Sequence, residues 1–151
     1  FVCLGNICRS PSAEAVMKAF VKKQGLENDF YIDSAGTAAY HEGERADSRM
    51  RKHASKRGYD LTSISRPFDA VIDFEEFDMI IAMDDDNKWD LERMCPDNKY
   101  LRKISKITDF HKGERYTFVP DPYYGGDKGF EEVIDILEES CSALLKKITI
   151  E

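Results

Sequence analysis

Two periodicities of apolar residues take turns along this chain, and the places where they switch mark its elements. The run Phe1-Val2-Cys3 is continuously apolar and predicts a short strand ending near Cys3. Ala13, Val16, Met17, Phe20 and Val21 then recur at helical spacing. They predict a helix over residues 11–24, with Ser10 as its N-cap, Pro11 as its first helical position and Gly25 as its stop. Residues 30–33 read as a short strand. A helix opened by Asp47 runs to Arg57, with Gly58 after it, and residues 68–76 read as a short helix. Residues 79–83 are nearly all apolar, as in a parallel strand covered on both faces. A helix over 86–94 stops before Pro96, and a strand follows over 104–107. Residues 130–148 form a last amphipathic helix, with Val133, Ile134, Leu137, Cys141, Leu144, Leu145 and Ile148 on one side. Strand and helix alternate throughout. The expected fold is therefore three-layer α/β, a four-stranded parallel sheet flanked by helices on both faces. Ligands of such sheets bind at the carboxyl ends of the strands. The loop after Cys3 lies at one such end, and so would Ser34 and Asp84.

Composition narrows the class. A chain of 151 residues fits one domain, expected over 1–151, with a few native residues expected ahead of Phe1 because the chain opens inside a strand. Charges of both signs are interleaved around a net charge of −7, which argues against a nucleic-acid partner and an anionic membrane surface. The apolar runs are too short to span a bilayer, and no signal peptide is visible. The four cysteines lack both the context of a disulfide framework and the paired spacing of a zinc site. A reducing, cytoplasmic compartment is expected, with no metal and no cofactor, and with a monomer as the working state.

The chemistry concentrates at the start, in Cys3-Leu4-Gly5-Asn6-Ile7-Cys8-Arg9-Ser10-Pro11. A loop between a strand end and a helix N-terminus can turn successive backbone N–H groups inward as an anion nest, and the helix dipole adds positive potential there. Gly5 and Asn6 tolerate the backbone angles this needs. Arg9 supplies a planar fork that can hold two oxygens of a phosphate. Cys3 faces the same field, which favours its nucleophilic thiolate form. The pair Cys3 and Arg9 alone is a weak signal, equally compatible with a small core cysteine. The strand, glycine, asparagine, serine and proline around it point to phosphate chemistry at sulfur.

This loop resembles the C-x-G-N-[IT]-C-R-S-P loop of low-molecular-weight protein tyrosine phosphatases, with Ala13-Glu14 following as is usual there. The resemblance continues through Asp33-Ser34-Ala35-Gly36-Thr37, through Phe77-Asp78-Met79-Ile80-Ile81-Ala82-Met83-Asp84 with Asn87, and through Asp121-Pro122-Tyr123-Tyr124. It implies phosphotyrosine-containing protein substrates and a set of roles. Cys3 is the nucleophile. Arg9 and the N–H groups of Leu4, Gly5, Asn6, Ile7, Cys8 and Arg9 hold the phosphate. Asp121, in a turn-rich segment with glycines, is the general acid and then the base. Ser10, Ser34 and Asp84 support the loop, and Tyr40, Tyr123 and Tyr124 wall the substrate ring. The resemblance also implies that Cys8 can guard Cys3 through a reversible disulfide. Tyr40 stands where some relatives carry tryptophan, and Ser63 where vertebrate-type members have a nearby histidine. His41, His53 and His111 are assigned no chemistry.

Two other readings compete. A thioredoxin-linked arsenate reductase shares the fold and loop but relays oxidation through two further cysteines after the third strand. Residues 84–94 contain none, and Cys95 stands alone. A non-catalytic phosphate-binding module is the other, and it would have no need of Cys3, Arg9 and Asp121 together.

Overall fold

The computed structural model describes residues 1–111, 116–123 and 125–150. Four parallel strands, β1 (Val2–Cys3), β2 (Ala35–Gly36), β3 (Ile80–Ala82) and β4 (Ile104–Lys106), form one sheet in the order β2-β1-β3-β4. Val2 lies opposite both Ala35 and Ala82, and Ile80 lies opposite Ile104. The helices are α1 (Arg9–Lys23), α2 (Ser48–Lys56), α3 (Asp73–Glu76), α4 (Asp85–Met94) and α5 (Asp127–Ile150).

The strands bury both faces because neighbouring side chains point to opposite sides of a sheet. Cys3, Ile81 and Met83 join one core with Val16, Met17, Leu137, Cys141 and Leu144 of α1 and α5. Val2, Ala35, Ile80, Ala82 and Ile104 join a second core with Phe68, Phe74 of α3 and Leu91 of α4. Helices thus cover both faces, and the three-layer parallel sheet is the one expected from the apolar pattern.

Local boundaries differ from the expectation where side chains or register intervene. Helix α1 begins at Arg9, and Cys8 takes the N-cap position without a side-chain bond, so Ser10 is not the cap. Pro11 becomes the third helical residue, still inside the first turn where a missing N–H leaves nothing unpaired. Residues 30–33 are not a strand. The ladder pairs Val2 with Ala35, the Ala35 N–H bonds the Phe1 carbonyl at 3.0 Å, and the Phe1 amino group donates to the Asp33 carbonyl at 3.0 Å. Helix α3 is shorter than the expected 68–76. Asp69 Oδ1 accepts from the N–H groups of Val71 and Ile72, and this local turn competes with helix before Asp73. Helix α2 opens as expected: Asp47 accepts from the N–H groups of Arg49 and Met50. Among the described residues no helix is long and apolar enough to cross a membrane.

Candidate active site

The first strand ends at Cys3, and the chain must turn through Leu4 to Ile7 before α1 can start. Asn6 sits at φ +57°, the left-handed region that asparagine tolerates better than most residues. Its side chain secures that conformation from three sides. Nδ2 donates to Ser10 Oγ at 2.8 Å and to Ser34 Oγ at 3.0 Å, while Oδ1 accepts from the Arg66 N–H at 3.0 Å. The Ser34 hydroxyl in turn donates to Glu14 Oε1 of α1 at 2.6 Å. The start of β2, rather than a strand's carboxyl end, the segment at Arg66 and the first helix are thereby tied to one loop residue. Gly36 allows the closest approach: a Cβ there would lie 2.8 Å from the Leu4 carbonyl oxygen and 2.9 Å from that of Ala38.

The loop N–H groups of Gly5, Asn6, Ile7 and Cys8 donate to no other backbone carbonyl among the described residues. They and the start of α1 supply the positive rim of an anion site. Cys3 Sγ, almost fully buried, lies 3.1 Å from Ser10 Oγ. Ser10 therefore does not cap the helix; its hydroxyl accepts from Asn6 and faces the sulfur.

Arg9 is 3 % exposed, which demands countercharge. Nη1 meets Asp84 Oδ2 at 2.5 Å and donates to the Val119 carbonyl at 3.2 Å. Nη2 lies 3.6 Å from Asp121 Oδ2. Burial alone would lower the Arg9 pKa, but Cys3, Asp84 and Asp121 outweigh it, and the guanidinium is held above its ordinary value. Asp84 serves twice, because its Oδ1 also accepts the Asn87 N–H at 2.8 Å as the N-cap of α4. Burial, then the negative fields of Asp47, Cys3 and Asp121, push the Cys8 thiol well above its ordinary value. Cys8 lines the same cleft as Cys3.

These groups surround a cleft of about 140 Å³ lined by Cys3, Leu4, Gly5, Ile7, Cys8, Arg9, Tyr40, His41, Asp121 and Tyr123. Of the expected site residues, Ser10, Ser34, Asn6 and Asp84 lie just behind that lining. Tyr124 lies outside the described residues. Two larger cavities, of about 320 and 280 Å³, carry none of the expected chemistry. His41 is the residue that sequence reasoning passed over. Its ring sits 6.0 Å from that of Tyr123, its Nδ1 contacts Glu44 Oε2 at 2.5 Å, and its Cδ2 is the first atom a Cβ on Gly5 would meet, at 3.0 Å. Its position directly after Tyr40 was the only available signal. His53 is buried too, between Glu131 at 2.5 Å and Asp127 at 3.1 Å, and it joins α2 to α5 rather than entering the cleft. No group of His, Cys, Asp and Glu able to hold a metal occurs among the described residues.

The parallel α/β sheet carries a cysteine, a buried arginine and an N–H-lined loop at one strand's carboxyl end, an arrangement able to cradle an anion. The family profile described as low molecular weight phosphotyrosine protein phosphatase matches residues 1–151. A putative low molecular weight protein-tyrosine-phosphatase of Synechocystis is 47 % identical over 98 % of this chain and 94 % of its own. The crystal structure of a protein tyrosine phosphatase from Entamoeba histolytica, with Hepes in its active site, superposes with a TM-score of 0.95 at 55 % identity, over 99 % of this chain and 94 % of that one. A Drosophila arginine phosphatase superposes with a TM-score of 0.91 at 33 % identity, over 98 % and 94 %. The chain belongs to the low molecular weight phosphotyrosine protein phosphatase family, a family of enzymes.

Proposed function

We propose that this chain hydrolyses phosphotyrosine in proteins, and small aryl phosphates, through a cysteinyl-phosphate intermediate. The observation that carries the reading is the convergence of Cys3, Arg9 and Asp121, from opposite ends of the chain, on one small cleft. The phosphate sits in the nest of Leu4, Gly5, Asn6, Ile7, Cys8 and Arg9, where the guanidinium and N–H groups stabilise its equatorial oxygens. Cys3 attacks phosphorus, and the bond to the leaving phenolic oxygen breaks as Asp121 protonates it. Asp121 then takes a proton from water, which attacks the phosphocysteine and releases phosphate and the thiolate. The Ser10 hydroxyl, 3.1 Å from the sulfur, donates to that thiolate and makes it a better leaving group.

Tyr40, Tyr123 and Ile7 give the cleft apolar walls that suit a flat phenyl ring. Cys8 lines the cleft with Cys3 and serves as its redox guard. All four cysteines are free, in keeping with a reducing, cytoplasmic setting.

The test is kinetic. Cys3→Ser should abolish hydrolysis of para-nitrophenyl phosphate while phosphate still binds. Asp121→Asn should lower kcat/KM on phenyl phosphate far more than on para-nitrophenyl phosphate, because in the first step only the poorer leaving group needs the proton. Turnover by the Cys3 variant, or equal losses for both esters in the Asp121 variant, would remove the assignment.

A further inference from the structure

General acid catalysis needs Asp121 at a fixed reach from Cys3, yet Asp121 lies on a segment without regular secondary structure, between Val119 and α5. Val119 is tied to Met83 and to Arg9, and a further hold on the segment comes from another helix. Arg49, in the first turn of α2, donates from Nη2 to the Tyr123 carbonyl at 2.9 Å, and the same nitrogen lies 3.1 Å from Asp47 Oδ2. Its guanidinium lies over two rings, 5.4 Å from the centroid of Tyr123 and 4.9 Å from that of Phe130. Asp47 is itself tied to the phosphate loop, since its N–H donates to the Ile7 carbonyl at 2.8 Å. At the other end, the Tyr123 N–H donates to Asp121 Oδ1 at 3.0 Å. Direct contacts therefore run from Ile7 through Asp47, Arg49 and Tyr123 to Asp121. The contact of Arg9 with Asp121 closes the circuit on the far side of the cleft.

We infer that Arg49 is a positioning residue for Asp121, bracketing the acid-bearing segment to the phosphate loop and so setting the reach of the carboxyl group to the leaving oxygen. The inference rests on the reading of Asp121 as general acid. Each hold uses a property specific to arginine: a fork that bonds a carboxylate and a carbonyl at once, and a planar face that stacks on aromatic rings. Lysine lacks both the planar face and the second donor, Nε, which meets Asp47 Oδ1 at 3.3 Å. Cys3 and Arg9 have their own anchors in Ser10 and Asp84, so losing Arg49 leaves the anion site standing while the acid loses its register. Misplacement of a reacting group by about 1 Å costs on the order of 100-fold. In kcat/KM, which reports the transfer of the phosphoryl group to sulfur, that loss falls only on substrates whose leaving group needs the proton.

The experiment compares R49A, R49K, D121N and R49A/D121N on phenyl phosphate and para-nitrophenyl phosphate, with inhibition by inorganic phosphate and amide hydrogen exchange of Val119, Asp121 and Tyr123. For R49A, kcat/KM on phenyl phosphate should fall about 10- to 100-fold, with less than about 3-fold lost on para-nitrophenyl phosphate and the phosphate inhibition constant within about 2-fold. R49K should fall between R49A and the parent. The double variant should be no slower than D121N on phenyl phosphate, because the two changes remove one function. Equal losses on the two esters, a parallel loss of phosphate inhibition, or a double variant slower than D121N by the full R49A factor would overturn the role. If the parent hydrolyses neither ester, or D121N lacks leaving-group selectivity, the functional reading fails and the kinetic role of Arg49 fails with it. Hydrogen exchange still separates the two failures: amides of Val119, Asp121 and Tyr123 as protected in R49A as in the parent would overturn the bracket itself.

Discussion

Replacing Asp84 by Asn keeps the shape of the side chain and removes its charge. Its partner Arg9 is 3 % exposed and makes its shortest contact, 2.5 Å, with Asp84. Two unit charges about 4 Å apart at an effective dielectric of about 20 attract by about 4 kcal/mol. Desolvation of Asp84 returns part of that in the variant, and Asp121 remains 3.6 Å from the guanidinium. We therefore expect D84N to lose about 3 kcal/mol of stability, inside the range for breaking a buried pair. Asn is a good N-cap, so the bond to the Asn87 N–H survives in D84N and is lost in D84A. The D84A variant should lose about 1 kcal/mol more. For a chain of this length 1 kcal/mol is about 2–4 °C, so D84N should melt about 6–12 °C below the parent. A phosphate dianion in the nest restores countercharge to Arg9 and should narrow the gap at saturating phosphate, through the linkage of ligand binding to stability. Urea unfolding with and without phosphate measures all three quantities. A D84N variant within about 0.5 kcal/mol of the parent would refute the buried-pair argument, and D84A matching D84N would refute the cap.

Other consequences are as direct. G36A should cost at least about 2 kcal/mol in urea unfolding, because its Cβ would press on two backbone oxygens, with a loss of phosphate affinity as Leu4 shifts. Alkylation by iodoacetamide at neutral pH, read by peptide mapping, should mark Cys3 and Cys95 and spare Cys8 and Cys141; burial pushes the Cys141 thiol up to about 12, and burial with nearby negative charge raises Cys8 as well. Phosphate should protect Cys3 alone. The carboxyl of Glu131 is held below its ordinary value, chiefly by its bond to Arg57 and then by His53. A group depressed on folding contributes stability that is present above its unfolded pKa and lost as pH falls through the folded one. Acid unfolding of E131Q should accordingly show a shallower loss of stability below about pH 4 than the parent.

The apolar pattern made the layers legible. The run over 79–83 needed cover on both faces, and the spacing of Val133, Ile134, Leu137 and Cys141 could only line one side of a helix. The hydrophobic effect is non-directional and follows such patterns closely, so the order of elements and the sheet came through. Element ends did not, because hydrogen bonds decide them. Nothing in the composition of residues 30–33 says that the ladder to β1 starts at Ala35. Equally, the start of α1 at Arg9 follows from what Ser10 does in the folded state. Serine before proline suits a cap, but here the hydroxyl is claimed by Asn6 and the Cys3 sulfur.

Cys3, Arg9 and the glycine and asparagine between them were readable as a cradle because they are neighbours in the chain, where local backbone geometry leaves few choices. Asp121 was readable only through resemblance, since an aspartate before proline is an ordinary turn. Its place 3.6 Å from Arg9 is a product of the tertiary fold, which brings the segment after β4 back over the first loop. The same holds for His41, whose one sign was its place directly after Tyr40, and for Arg49, whose sequence surroundings carry no sign of the cleft. By itself, then, the sequence determined the sheet, its helical cover and an anion nest with a thiol in it. Only the tertiary structure decided which distant carboxylate, arginine and rings meet that nest, because contacts between residues far apart in the chain depend on packing that no local periodicity encodes.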